Sequence, residues 1–141
     1  CDTSILRCGP PRVDFIGGGG QGVTGSAIVN VLGQIIGVAY DADNGKLYFH
    51  NNGVYYNSGD PANGTGAVID NIVIRQNGVI MPFIGQGTGN ARTHDCNWGQ
   101  GYFGTTQVST SNADANGHGL FEYAVPTGFY ALCTKNIKEF G

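Results

Sequence analysis

Short apolar runs separated by Asn, Gly and Asp organise the central part of the chain. Ile35 to Tyr40 is a run rich in β-formers. Lys46 to His50 alternates, so an extended chain puts Leu47 and Phe49 on one face and Tyr48 and His50 on the other. Asp43-Asn44-Gly45 lies between them and predicts a hairpin closed by a two-residue turn, because Asn and Gly tolerate positive φ. A second turn, Asn51-Asn52-Gly53, leads into a strand at Val54 to Tyr56. Further strands are predicted at Arg12 to Ile16, Val68 to Ile74, Val79 to Ile84, Ala91 to Trp98, Leu120 to Val125 and Phe129 to Cys133. Gly59 to Gly64 and Pro126-Thr127-Gly128 are turns, and Gln76-Asn77-Gly78 is another Asn-Gly turn. Val23 to Ile35 is the one helix candidate, and Gly25, Gly33 and its β-branched residues weaken it. Short strands with frequent turns predict an all-β fold, an antiparallel β-sandwich or barrel.

Glycine sharpens the picture. It accounts for 25 of 141 residues and explains why hydrophobic residues reach only 40%. Charged residues are 12%, about half the usual share. Seven Tyr, seven Phe and one Trp argue for a packed domain rather than a disordered chain. Residues 1–34 read as an irregular Gly-rich arm with short strands, and 35–141 as one β module. The net charge is −3 and the basic residues are scattered, so no phosphate-neutralising stripe exists and nucleic acid is not an expected partner. No apolar stretch approaches the roughly 18 residues of a spanning helix, so membrane insertion is not expected. No leader pattern opens the chain. Cys1 in place of Met fits removal of an initiator or a piece of a longer protein.

Several motifs resemble chemistry and are better read as structure. Gly17, Gly19 and Gly22 have the G-x-G-x-x-G spacing of a dinucleotide-binding turn, and Asp41 follows at about the distance expected of a ribose-binding acid. The second strand of such a unit should feed a crossover helix, whereas here it turns back as a hairpin, so no nucleotide cofactor is expected. Asp41-Ala42-Asp43 could open a calcium loop but lacks the downstream bidentate Glu. Asn112 to Gly119 is richer in oxygen ligands, yet Asx turns alone explain it. His94, Asp95 and Cys96 are consecutive, so in a strand they point to opposite faces and make no catalytic triad by themselves. The four cysteines lack C-x-x-C spacing. They read as thiols, with a Cys1–Cys8 or Cys96–Cys133 bridge as the alternative. No catalytic, cofactor or metal residue is therefore assigned.

Binding residues are a different matter. Tyr55, Tyr56, Trp98 and Tyr102 lie beside turns, where aromatic rings either fill the core or stack on sugars and protein partners. Asn112, Asp114, Asn116 and His118 are the polar candidates of the loop Gly104 to Gly119. That loop has no apolar anchor except Val108, which predicts order gained from a second chain.

Two blocks together resemble a known family. Ile35-Ile-Gly-Val-Ala-Tyr-Asp-Ala-Asp-Asn-Gly-Lys-Leu-Tyr-Phe49, with Asn52-Gly53-Val54 and Asn57-Ser58-Gly59-Asp60-Pro61, resembles the central hairpin of SPRY-like (B30.2-type) domains, especially those of tailed-phage structural and tail proteins. Asn97-Trp98-Gly99-Gln100, then Asn112 to Gly119, then Phe121-Glu-Tyr-Ala-Val-Pro-Thr-Gly-Phe-Tyr-Ala-Leu-Cys-Thr134 is similar to the end of the phage version. There an N-F-G-Q block leads through a polar loop to P-x-G-x-x-A-L-C-T. The likeness spans Ile35 to Ile137. The first half of a SPRY domain is absent or replaced by Cys1 to Gly33, which implies a truncated module or one that completes its sheet with a neighbour, and Trp98 stands where Phe is commoner. The resemblance implies a SPRY/concanavalin-like antiparallel β-sandwich, incomplete on its N-terminal side, that binds proteins through loops and carries no catalytic residues. The expected function is a virion structural module, a surface decoration or tail-fibre component. Its partners would be other virion proteins or copies of itself. The alternatives are an adhesin at the extracellular surface that binds a host glycan or receptor, and a hydrolase built on a β-sandwich.

Overall fold

The computed structural model describes residues 5–9, 12–17, 21–23, 33–72 and 93–140. Among these the chain is mainly β, with antiparallel sheets, two single-turn 3-10 helices and one short α-helix.

At the N-terminal side β1 (Ile5–Gly9), β2 (Arg12–Gly17) and β3 (Gln21–Val23) form an antiparallel meander. The strand expected at Arg12 to Ile16 is β2. Gly17 pairs with Gln21 and Ile16 with Gly22, so β3 runs back antiparallel alongside β2. A dinucleotide turn instead delivers the chain into a helix whose N-terminus faces the pyrophosphate.

The central sheet is a second meander of β4 (Ile36–Asp41), β5 (Lys46–Asn51) and β6 (Val54–Tyr55). Its two connections differ from expectation in an instructive way. Asp41 pairs with Lys46, so the first loop is the four residues from Ala42 to Gly45 rather than a two-residue Asn44-Gly45 turn. Within it only Gly45 has positive φ, at 63°. Asp41 explains the difference, since its carboxylate accepts hydrogen bonds from Asn44 N at 3.0 Å and Nδ2 at 2.8 Å. That Asx turn lets the backbone curl over more residues. The two-residue turn with both residues at positive φ is the second one, Asn52 (48°) and Gly53 (83°), closed by the Asn51–Val54 pair.

Strand β5 is buried on both faces. Leu47 and Phe49 join Ile69 in a core against which Ile36, Tyr40, Tyr56, Val68 and Ile72 pack. The segment 68–72 runs beside β5 through a single bridge, Leu47 to Ile69. The remainder of the strand expected at Val68 to Ile74 lies outside the described residues. So do the strand expected at Val79 to Ile84, the Gln76-Asn77-Gly78 turn and most of the helix candidate Val23 to Ile35. On the opposite face the fully buried Tyr48 meets Phe129 edge-on at 6.4 Å. His50 lies between Tyr55 at 5.2 Å and Tyr123 at 5.3 Å.

The C-terminal block departs most from the predicted strands. It contains the small hairpin β7 (Tyr102–Phe103) and β8 (Thr106–Gln107), and the helix α1 (Thr134–Phe140), which the sequence reading did not anticipate. The strands expected at Ala91 to Trp98, Leu120 to Val125 and Phe129 to Cys133 do not form over their described residues, apart from one bridge between Phe121 and Asn112. Glycines at positive φ interrupt the chain, and Asn, Asp and Gln side chains take the backbone partners a ladder would use. Among the described residues no helix is long and apolar enough to cross a membrane.

Candidate functional site

Asn97 and Gln100 shape the loop that carries the most exposed aromatic surface of the C-terminal block. Asn97 Oδ1 accepts from Gly99 N at 2.8 Å and Gly101 N at 3.1 Å, while its Nδ2 donates to Leu120 O at 2.9 Å. Leu120 N returns a bond to Gly99 O at 3.0 Å. Gln100 ties the two aromatic positions together: its Oε1 accepts from Trp98 N at 2.6 Å and its Nε2 donates to Tyr102 O at 3.1 Å. The same Nε2 reaches Cys96 O. The result is a pinned loop from which Trp98 is 46% exposed and Tyr102 43% exposed, beside Leu120 at 42%.

The loop from Gly104 to Gly119, expected to take its order from a second chain, is held by its own chain. Asp114 is buried, with four N–H donors on its carboxylate. Oδ1 accepts from Asn116 N at 3.0 Å and His118 N at 2.8 Å; Oδ2 accepts from Ala131 N at 2.9 Å and Asn136 Nδ2 at 2.7 Å. Burial alone would push this carboxyl up; the bonds from Ala131, His118, Asn136 and Asn116 outweigh it and hold it below its ordinary range. Asn136 Nδ2 also donates to Ala131 O at 2.9 Å, and Asn136 Oδ1 accepts from Asn116 Nδ2 at 3.2 Å. Asn112 exchanges backbone bonds with Phe121, and its Nδ2 reaches Phe121 O and Glu122 O. The Glu122 carboxylate accepts from the Ser109 hydroxyl and amide, which hold it below the ordinary carboxylate range. Val108, in the same loop, is buried.

These contacts sort the candidate binding residues. Trp98 and Tyr102 share one pinned, exposed loop. Tyr55 is half-buried against His50, and burial raises its hydroxyl pKa; Tyr56 packs on the core. The side chains of Asn112 and Asp114 hold backbone, Asn116 bonds the Asn136 side chain, and His118 supplies its amide to Asp114. With N–H hydrogens aimed at both its oxygens, Asp114 faces donors where a calcium ion would need lone pairs. The Asp41 carboxylate is likewise occupied by Asn44, whose bonds lower its pKa. Among the described residues no three His, Cys, Asp or Glu side chains gather as a metal site would require. His94 and Asp95 are exposed, and Cys96 and Cys133 are free thiols, so the Cys96–Cys133 bridge is not formed.

Sequence reasoning passed over Asn97 and Gln100 as structural residues, although both lie in the N-W-G-Q block that carried the resemblance. Asn136 gave no signal, because an Asn in a short polar stretch has no periodicity to mark it. Comparison with known proteins finds no matching family model, no matching curated sequence and no matching solved structure.

Proposed function

We propose that this chain is a non-catalytic structural module of a tailed-phage-like virion, a surface decoration or tail-fibre component that assembles with other virion proteins or with copies of itself. It would be assembled in the host cytoplasm and carried on the particle. The finer fold proposed with it is a SPRY-like β-sandwich, incomplete on its N-terminal side. The observation that carries the reading is the pinned Trp98–Tyr102 loop. The polar side chains around it hold backbone, and the aromatic and aliphatic side chains of Trp98, Tyr102 and Leu120 are left outward on a rigid base. Rigid aromatic anchors suit a protein contact because little side-chain freedom is lost on docking. The two blocks that carry the resemblance also meet in space, through Tyr48 with Phe129.

The same exposed rings favour one second reading, a glycan- or receptor-binding adhesin acting at the extracellular surface, since sugars stack on Trp and Tyr. Light scattering of the purified chain and of Trp98→Ala separates the two. A defined oligomer that dissociates in the variant supports the assembly reading. A monomer that binds a glycan array through Trp98 supports the adhesin, and a monomer that binds neither glycan nor particle removes both.

A further inference from the structure

Four Asn-Gly pairs lie among the described residues: Asn44-Gly45, Asn52-Gly53, Asn63-Gly64 and Asn116-Gly117, all in turns. Asn-Gly is the dipeptide in which the backbone nitrogen of Gly can reach the side-chain carbonyl carbon of Asn without hindrance from a Cβ. The surroundings of the four pairs are not alike. Gly64 N donates to Pro61 O and Gly117 N to Asp114 O, carbonyl oxygens too weakly basic to take a proton. Gly53 N donates to an imidazole, His50 Nδ1, at 3.1 Å. The side-chain nitrogens of Asn44, Asn63 and Asn116 are held by Asp41, Asp60 and Asn136. Asn52 is held instead through its oxygen, which accepts from Ile35 N at 2.9 Å.

We propose that Asn52-Gly53 is a self-modification site at which His50 acts as the general base for succinimide formation and the Ile35 N–H steadies the developing oxyanion. The proton acceptor and the oxyanion donor are already hydrogen-bonded to the atoms they would serve. His50 Nδ1 takes the proton of Gly53 N, and that nitrogen forms a bond to Asn52 Cγ. Negative charge gathers on Asn52 Oδ1, where Ile35 N–H already donates. The Cγ–Nδ2 bond then breaks, the proton passes from His50 to the departing amine, and ammonia leaves. Water opens the imide at either carbonyl to give aspartate or isoaspartate, and both Asn52 and Gly53 are exposed to it. His50 is suited to accept a proton because burial lowers its pKa and keeps it neutral. The groups around it are uncharged: the rings of Tyr55 and Tyr123, with Gly37 beneath its Nε2 edge.

The test is a time course of the intact protein at neutral pH, with peptide mapping by mass spectrometry of all four pairs. General bases typically contribute about a hundredfold or more, and the geometry here is not optimised for turnover, so Asn52 should convert about tenfold faster than Asn63 and Asn116. Unfolding in urea should bring the four rates together, because only the fold places His50 at Gly53. His50→Phe should bring the Asn52 rate to that of its neighbours while leaving Asn63 and Asn116 unchanged. If native Asn52 converts no faster than Asn63 and Asn116, or keeps its lead in urea, the proposal is wrong. The urea comparison needs no variant and decides the matter even if His50→Phe does not fold.

Discussion

At the scale of single residues, buried polar atoms without partners are as informative as the satisfied ones. Tyr48 is completely buried, its hydroxyl has no hydrogen-bond partner among the described residues, and burial raises its pKa. Leaving such a group unpaired costs about 1–3 kcal/mol, so Tyr48→Phe should raise stability by about 1 kcal/mol, read as a higher urea midpoint. Asp114 is the opposite case. Asp114→Asn replaces one acceptor oxygen by an NH2 group that must face an N–H donor, which should cost about 2–3 kcal/mol at neutral pH. Because the folded carboxyl titrates below its ordinary value, its contribution is complete above the unfolded pKa of about 4 and is lost as pH falls through the folded value. The gap between wild type and Asp114→Asn should therefore close in acid. A gap that stays constant from pH 7 to pH 2 would show that the charge of Asp114 plays no part.

At the scale of elements, the hairpin of β4 and β5 was legible because alternation and turn chemistry agreed over consecutive residues. Leu47 and Phe49 did fall on one face and Tyr48 and His50 on the other. What misled was turn length: an Asn-Gly pair suggests a two-residue turn, and the Asp41 side chain makes a longer one. The same device recurs at Asp60, which accepts from Asn63 N and Nδ2, so Asp-x-x-Asn is a local code in this chain. Gly45 closes the first loop at φ 63°, and a Cβ there would lie 2.4 Å from Ile72 O. Gly45→Val should thus cost about 2 kcal/mol or more, combining a disfavoured backbone with a backbone clash. An unchanged melting curve would mean that the loop can re-form around a side chain.

At the scale of the whole molecule, the mainly β character was readable, whereas the construction of the C-terminal block was not. Its apolar residues at Leu120 to Val125 and Phe129 to Cys133 look like strands, yet the order comes from bonds between residues far apart in sequence, such as Asp114 to Ala131 and Asn97 to Leu120. No local pattern encodes such pairs. Deleting Thr106 to Asp114 removes β8, buried Val108 and the Asp114 carboxylate together. The variant should lose the near-ultraviolet signal of Trp98 and its cooperative melting, and a deletion that melts normally would reduce the loop to a spacer. Within this block Val108 and Ala131 are the only hydrophobic residues buried among those described. Thermal behaviour should carry the imprint of that. Exposing apolar surface raises the heat capacity on unfolding and exposing polar surface lowers it. Calorimetry should then give a heat-capacity increment below the usual roughly 12 cal/mol/K per residue, and so a broad, shallow stability curve. Such a protein gives up little free energy on chilling and keeps its shape through wide swings of temperature.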